Sequence, residues 1–475
     1  MPALKATPES ASVRTSPRYD ATVGLGGGWP RRAIAACATV AIAASARAGV
    51  LEERRKTTPA QLAVAAQRYV LPNGLVVVLA PDPSASGVAV WMTFRAGAQR
   101  QPLGKGGLAH LAEHVLASGP TPDTDYAGMH EARRARHFNA ATGLETMDFE
   151  AVVPAEELPF ALWAMADRLG TLAARVDEQE LERNRRVVVQ ERALRDVDAP
   201  YGLVDEQLFR RLYAAPHPLS GGVIGAPEEL ARLTAADVRR FVGEYLVPAN
   251  GVLVLAGRLD PAVAREQIAS TVGRLPAGRR APRALHPPPP LDYVDAKEEP
   301  HGRKPRVTLA WRLPPGGRDD AEALRLGAQL FTFFVDGAFG MELSAGFHEY
   351  EGEGLFEVEL TVPYDEPMEV VHRDADGFLR MLTHKEMPLD FLVAAHLALD
   401  RFELFELASL EGRARALTRL ELRLDSRVDL ATFLGSHWEI DGPVVRDTAR
   451  RLLKGPKLVL HARPKRPKKA RKERE

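Results

Sequence analysis

Residues 106–118 place their apolar positions on one side of a helix. These positions follow the spacing i, i+3, i+4, i+7 and i+8 and are Leu108, Leu111, Ala112, Val115 and Leu116. This period predicts an amphipathic helix that buries one face in a core. At about 100° per residue, the polar residues His110, Glu113 and His114 fall together on the opposite face.

Other segments show either the two-residue alternation of apolar and polar positions that is typical of strands or the 3.6-residue period that is typical of helices. Strands are predicted over residues 69–79, with a turn at Asn73-Gly74, and over residues 88–94, 137–153, 251–256 and 356–360. Helices are predicted over residues 159–172 and 178–195, after Thr234, which forms a cap with Asp237, and after Pro388. This mixture predicts the α+β fold class.

The stretch 274–304 is rich in Pro, Gly and Arg and includes four consecutive prolines at 287–290. Such a composition favours a stiff polyproline linker over a packed element. A length of 475 residues also exceeds the roughly 150 residues of an ordinary domain. We therefore predict domains at residues 49–273 and 305–463, joined by a linker at 274–304. Residues 464–475, rich in Lys and Arg, are predicted to be a disordered tail.

The first 48 residues have the pattern of a targeting segment. An Arg-Arg pair at 31–32 precedes a small apolar run at 33–46, and residues 46–48 form an Ala-Arg-Ala cleavage site. The pattern predicts a signal peptide, export to the periplasm or the medium, and a mature chain that begins near Gly49. The run has about 14 apolar residues, whereas a transmembrane helix needs about 20, so no membrane anchor is expected. A buried Ala-rich helix remains the alternative.

Charge and cysteine content exclude several classes of function. The 63 basic and 63 acidic residues give a formal net charge of zero, so no overall field attracts nucleic acid or an acidic ligand. The basic tail leaves open a separate role as an anchor to anionic lipid or nucleic acid. The only cysteine, Cys37, lies in the predicted signal peptide. Cleavage would leave no thiol for a disulfide or a metal.

The polar face of the 106–118 helix has the composition of a zinc site. Zinc takes neutral imidazole or carboxylate ligands at about 2.0–2.2 Å, and a catalytic site keeps a further position for water. His110 and His114, one helical turn apart, are candidate ligands, and Glu113 beside them is a candidate general base. The alternative is a pair of surface histidines on an ordinary amphipathic helix.

The arrangement His110-x-x-Glu113-His114 resembles the inverted zinc motif of the inverzincins, which include the insulinase and pitrilysin peptidases and mitochondrial processing peptidase. Those families take the third ligand from a glutamate on a later helix, and Glu191 lies 77 residues after His114. The resemblance implies one zinc per chain on His110, His114 and Glu191, with zinc-bound water as nucleophile and Glu113 as general base. A solvated helix carboxylate is the alternative for Glu191.

The resemblance covers about residues 69–260 and carries expectations about fold and substrate. It implies two related domains, each an antiparallel sheet packed with helices, of which the second is shortened. It also implies that a substrate peptide pairs as an added strand near Asn139, Ala140 and Thr142. Ordinary turn and strand structure is the alternative for Asn139 and Thr142.

The chain departs from the family pattern at three places. Ala135-Arg136 stand where paired glycines are usual, and Asn184 replaces an accessory glutamate, so it can hydrogen-bond a ligand but adds no charge. Near Gly340 the chain lacks the Arg-Leu-Tyr stretch that helps to hold substrate in active relatives. The second domain has no His-x-x-Glu-His motif of its own, so it is not expected to be a second active site.

The predicted function is that of a zinc-dependent endopeptidase acting on peptides or unfolded polypeptide segments, without a specific nucleic-acid partner. The alternative is a metal-retaining, weakly active peptide-binding subunit that works with a related partner chain. The shortened second domain favours that alternative, whereas the complete ligand set favours the enzyme.

Overall fold

A computed structural model describes residues 53–54, 63–118, 125–172, 175–213, 215–282, 293–299, 301–302, 304–314, 316–335, 342–363, 368–384, 387–424 and 430–464. The predicted signal peptide and the basic tail beyond Pro464 lie outside these residues. Within the described ranges, every helix is too short or too polar to span a bilayer.

Two sheets organise the chain. The first contains β1 (Gln67–Val70), β2 (Val76–Pro81), β3 (Gly87–Phe94), β4 (His137–Thr142), β5 (Met147–Pro154) and β6 (Gly251–Gly257), in the order β1-β2-β6-β3-β5-β4. The second contains β7 (Tyr293–Glu299), β8 (Arg306–Leu313), β9 (Glu342–Tyr350), β10 (Glu353–Thr361) and β11 (Leu458–Pro464), in the order β7-β11-β8-β10-β9.

Helices connect and cover these strands. In the first half they are α1 (Leu108–Ser118), α2 (Tyr126–Ala132), α3 (Leu158–Asp167), α4 (Glu178–Arg192), α5 (Gly202–Leu212), α6 (Pro227–Leu230), α7 (Ala235–Tyr245) and α8 (Pro261–Ser270). In the second half they are α9 (Arg318–Val335), α10 (Met368–His384), α11 (Leu389–Leu407), α12 (Leu410–Leu424), α13 (Leu430–Leu434) and α14 (Gly442–Leu452).

The predicted α+β class is confirmed, and the two sheets are related in their topology. If β1 is set aside, each sheet begins with a parallel pair, β2 with β6 and β7 with β11, and continues with antiparallel neighbours. The expectation of purely antiparallel sheets therefore needs one correction. The first and last strands of each unit run in the same direction because the whole unit lies between them and returns the chain to the same end of the sheet.

The predicted linker at 274–304 is wrong in its last third. Residues Tyr293–Glu299 form β7, which pairs in parallel with β11 from Leu458 to Pro464. The prediction failed because the prolines at 287–290 dominate the composition of the stretch, while pairing of the next seven residues depends on a strand more than 150 residues later in the chain.

The cores of the two halves are shared through three helices, α5, α12 and α13, which we call the exchanged helices. The main core lies on one face of the first sheet, under α1, α3, α7 and α8. The opposite face of that sheet is covered by α12 and α13, which belong to the second half of the sequence. Conversely, α5 from the first half covers a face of the second sheet, where Val204 and Leu208 pack with Ala310 and Leu460.

Polar contacts also join the halves beside the end of β4. The turn after β4 carries Glu145, whose carboxylate accepts a hydrogen bond from the backbone N–H of Glu351 in the β9–β10 hairpin. The carboxylate of Glu351 accepts from Arg100 at 2.7 Å and from Gln99 at 3.2 Å. The second half thus holds the turn that follows the edge strand.

Candidate metal centre

Helix α1 presents the predicted histidines because its other face is held by the core. Leu108, Leu111 and Val115 are buried, as the period predicts. Before the helix, Gly107 has φ of +83°, and a Cβ there would collide with the carbonyl oxygen of Ile224. The side chain of Gln101 then accepts from the N–H of Ala109 at 3.0 Å, which satisfies one free donor of the first turn.

Helix α4 brings Glu191 to α1. Its N-terminus is capped by Asp177, which accepts from the N–H of Glu180 at 2.8 Å. The buried residues Leu181, Asn184 and Val188 follow at steps of three and four, and Glu191 continues the same series. Since this face packs against α1, the period of the helix carries the Glu191 carboxylate to the two histidines.

The three predicted ligand atoms converge on one point. The Nε2 atoms of His110 and His114 are 3.2 Å apart. Oε2 of Glu191 lies 3.0 Å from Nε2 of His114 and 3.5 Å from Nε2 of His110. The two imidazole rings meet edge to face at 84°, so both Nε2 atoms can point at a shared ion.

These distances fit a tetrahedral zinc ion. With metal–ligand distances of about 2.0–2.1 Å, tetrahedral geometry separates any two ligand atoms by about 3.3–3.4 Å. The three observed separations, 3.0, 3.2 and 3.5 Å, lie on both sides of that value. Two imidazoles and one carboxylate are also the donor set of a catalytic zinc site with an open fourth position.

Glu113 lies within the same cluster but is suited to proton transfer. Its carboxylate and the two imidazole nitrogens are all within 4.8 Å of one another. Burial raises the pKa of Glu113 to about 7, while the neighbouring His114 and the hydroxyl of Thr142 act in the opposite direction. A carboxyl with a pKa near neutrality is a suitable base at neutral pH.

The ligand residues are held in the protonation states that a metal requires. Burial, followed by the charge of His114, lowers the pKa of His110 to about 4, so its imidazole is neutral at physiological pH. Burial alone would raise the pKa of Glu191, but the hydrogen bond with His114, the charge of His110 and the hydrogen bond from Arg195 bring it down to about 2. Neither group holds a proton near pH 7 that would have to be displaced by a metal.

The edge strand β4 carries the predicted substrate residues. It pairs antiparallel with β5 on one side and is the last strand of its sheet among the described residues. Ala140 packs on the main core, and Thr142, two residues on, lies beside Glu113. Asn139 alternates to the opposite face and is exposed. The structure thus brings Thr142 to the metal cluster but directs the Asn139 side chain away from it.

Two departures from the family pattern have local structural counterparts. Asn184 is buried and donates to the carboxylate of Glu180 at 2.8 Å and to its carbonyl at 3.1 Å. Glu180 thus provides a buried carboxylate one turn before the position where relatives carry theirs. The second departure, Ala135-Arg136, lies just before β4. Arg134 there has the left-handed conformation with φ of +59°, and the backbone N–H of Arg136 donates to the carbonyl oxygen of Val152 at 2.8 Å.

One residue of the site was missed by sequence reasoning. Arg195 donates from Nη1 to Oε1 of Glu191 at 2.5 Å. A four-residue spacing between Glu and Arg on a predicted helix could have indicated this pair. The helix changes to a π-helical turn over Ala193–Val197, which periodicity alone does not predict.

The second half has no equivalent centre among its described residues. His110, Glu113 and His114 form the metal-capable cluster found in the described part of the chain. Helix α9 lies between β8 and β9 in the chain, as α1 lies between β3 and β4, and is therefore the counterpart of α1 in the second half. It contains no histidine. The segment before Ser344 that was predicted to lack the Arg and Tyr contacts falls largely on residues 336–341, outside the described ranges.

Known families match both halves of the chain. Residues 76–219 match the family Insulinase (Peptidase family M16), and residues 232–387 match the Peptidase M16 inactive domain. The first match contains His110, Glu113, His114 and Glu191. The second match begins before α7 in the first half and ends after α10, and its sequence contains no His-x-x-Glu-His motif.

Individual relatives agree with these matches. The chain is 29% identical over 280 residues to the uncharacterized zinc protease Rv2782c of Mycobacterium tuberculosis, covering 57% of this chain and 62% of that protein. It thus spans less than two thirds of the length of that curated relative. In fold it is similar to a protease from Helicobacter pylori, with a TM-score of 0.74, 18% identity, and coverage of 84% of this chain and 100% of that one.

A longer structure matches only in part. The periplasmic protease PqqL from Escherichia coli has a TM-score of 0.67 at 17% identity, and the match covers 84% of this chain but 48% of PqqL. Identities this low show a shared fold. The described fold of this chain is therefore found in about half of that protein.

Proposed function

The chain belongs to the insulinase family, peptidase family M16, and we propose on that basis that it is a zinc-dependent endopeptidase. The proposed substrates are peptides or unfolded polypeptide segments. The observation that carries this proposal is the convergence of His110, His114 and Glu191 within 3.0–3.5 Å, next to the buried carboxyl of Glu113.

The residues of the site have separate tasks in hydrolysis. His110, His114 and Glu191 would hold one zinc ion, which when bound supplies a Lewis acid that polarises a carbonyl and lowers the pKa of water. Glu113 accepts the proton of the attacking water and then delivers it to the leaving amine. Its burial supports both steps, because a pKa near 7 allows the carboxyl to take and release a proton at neutral pH.

The edge strand β4 would position the substrate. An extended peptide can add to the free side of β4 through main-chain hydrogen bonds, which do not depend on side-chain identity. Because Thr142 at the end of β4 lies beside Glu113, a peptide paired along this strand would reach the catalytic base. We expect broad sequence preference for this reason. Asn139, Ala140 and Thr142 remain the proposed substrate contacts, and Asn184 a proposed support of the metal ligands.

Metal content and turnover test the proposal together. We expect about one zinc per chain by elemental analysis and chelator-sensitive cleavage of a fluorogenic peptide. Glu113→Gln should retain zinc and lose about a hundredfold or more in turnover, because the amide cannot accept a proton. Glu191→Gln should lose zinc. Purified in the same way, Glu113→Gln also controls for a contaminating protease, and wild-type turnover in that variant would refute the mechanism.

Export to the periplasm is a further part of the proposal. It is supported by the targeting pattern of residues 1–48 and by the periplasmic origin stated for PqqL. Terminal sequencing of the exported protein should find a start near Gly49. Recovery of only the intact Met1 chain from the cytoplasm would contradict this.

A second candidate function is that of a metal-retaining subunit that needs a related partner chain. The observation that favours it is the sequence near Gly340, which lacks the Arg-Leu-Tyr stretch expected to hold substrate in active relatives. In this case the isolated chain would cleave peptides weakly, and a related chain with the missing Arg and Tyr would restore turnover. Light scattering would give the assembly state. Fast turnover by a monomer, unchanged by added partners, would exclude this candidate.

A further inference from the structure

We propose that Arg195 is a positioning residue for the metal centre, which fixes the Glu191 carboxylate so that only one of its oxygens faces the histidines. This inference rests on the proposed zinc site and concerns a residue outside the ligand set. The two oxygens of Glu191 have different partners: Oε2 lies near both imidazoles, whereas Oε1 accepts from Nη1 of Arg195 at 2.5 Å.

Geometry explains why this contact sets the orientation. A carboxylate on a flexible side chain can bind a metal through one oxygen or two, or can rotate away into solvent. The side chain of Glu191 is 22% exposed, so the surrounding packing does not immobilise it. A charged hydrogen bond to Oε1 restrains rotation of the carboxylate and leaves Oε2 as the oxygen directed at a tetrahedral ion.

The backbone places Arg195 for this task. Helix α4 ends at Arg192, and the following π-helical turn over Ala193–Val197 contains Arg195. The neighbouring cation, Arg192, has other partners: it donates to the carbonyl of Gly225 at 3.1 Å and to Glu206 at 2.6 Å. The two arginines thus have different roles: Arg192 anchors the end of α4 to Gly225 and Glu206, whereas Arg195 binds the Glu191 carboxylate.

The chain offers a matched control for this pair. Arg210 donates to Glu206 with the same four-residue spacing, at 3.0 Å, with side-chain exposures of 44% and 24% against 51% and 22% for Arg195 and Glu191. Glu206 is not a metal ligand. Arg210→Gln therefore removes an ion pair of the same spacing and similar exposure without touching the proposed ligand set.

The test measures zinc affinity of the full chain by competition with a chromophoric chelator. Arg195→Gln should weaken zinc binding about tenfold to a hundredfold, as expected for loss of a partner that orients a ligand. Arg210→Gln should leave affinity unchanged, and urea midpoints should be the same for both variants and the wild type. Arg195→Lys, which keeps a donor and a charge, should recover part of the loss.

Cobalt(II) provides a readout that does not depend on turnover. The visible spectrum of the cobalt-loaded Arg195→Gln variant should differ from that of the wild type, because the carboxylate is free to change its binding mode, and Arg195→Lys should shift it back. Equal zinc affinity and equal cobalt spectra in wild type and Arg195→Gln would overturn the inference while leaving the zinc site intact. A wild type that binds no zinc would overturn both the inference and the proposed function.

Discussion

Glu145, in the turn after the edge strand, should make the stability of the protein depend on pH. Burial raises its pKa to about 7 from the usual 4.5, an effect that the backbone hydrogen bond from Glu351 opposes. Glu145→Gln removes the charge and retains an oxygen that can accept the same hydrogen bond. The substitution therefore isolates the cost of an ionised carboxylate at this position.

The sign follows from the two pKa values. Below about pH 4.5 the carboxyl is protonated in both the folded and the unfolded chain, so its ionisation costs nothing. As the pH rises from about 4.5 to about 7, the unfolded chain has released its proton while the folded chain still holds it, so the folded state progressively loses stability, and the loss is complete above about pH 7. The full difference corresponds to about 3 kcal/mol. Because Glu145 is only partly buried, we expect solvent screening to reduce this to about 2 kcal/mol.

Urea unfolding of the chelator-treated protein at pH 5, 6, 7 and 8 measures the effect, since bound metal would add its own stabilisation. Glu145→Gln should differ least from the wild type at pH 5, just above the usual pKa of 4.5, and exceed its free energy of unfolding by about 2 kcal/mol at pH 8. Glu266→Gln, which changes an exposed glutamate of α8, should show no such trend. A difference that is the same at every pH would refute the reasoning, since it would mean that the titration of Glu145 is not involved.

Three further substitutions test other features of the structure. Gly107→Ala should destabilise the protein by about 1–3 kcal/mol in urea and reduce zinc content, because Gly107, just before α1, combines positive φ with close contact to the backbone of Ile224. Asp400→Ala should cost about 2–4 kcal/mol in urea unfolding, since the carboxylate accepts from the indole of Trp438 at 2.8 Å and lies 3.2 Å from Nε2 of His437, all three residues being buried. Trp438→Phe removes the same hydrogen bond but leaves Asp400 with His437, so it should cost less than Asp400→Ala; a Trp438→Phe variant as stable as the wild type would show that the hydrogen bond contributes little.

The elements that sequence predicted best are those whose information is local. The face of α1 with His110 and His114 follows from the helical period over eleven residues, and the capping box of Thr234 and Asp237 is confirmed as predicted. Glu191 is different, because no local pattern distinguishes it from the other carboxylates of α4. The resemblance to a family with a fixed ligand spacing identified it, and the structure shows it beside the histidines.

What the sequence could not predict depends on distant partners. The strand β7 exists through pairing with β11 near the end of the chain. The apolar stripe of α5 predicts that one face of this helix is buried, but it does not predict against which sheet that face packs. Likewise, nothing in the sequence distinguishes Arg195 from the other arginines of this helical stretch, and its side chain is half exposed. Its importance rests on a π-helical turn and on the direction of one carboxylate oxygen.

The exchanged helices have a consequence for the order in which the protein can be made. A ribosome releases the six strands of the first sheet long before α12, which covers one of its faces. Among the described residues, the face that contains Val78, Ala89 and Val254 packs mainly against α12 and α13, and these helices are complete only when residue 434 has emerged. The nascent first half therefore exposes an apolar sheet face. We expect it to aggregate unless a chaperone or the second half of the chain covers this face. Cutting the gene at the proline-rich stretch should yield two fragments that are insoluble apart and soluble when co-expressed.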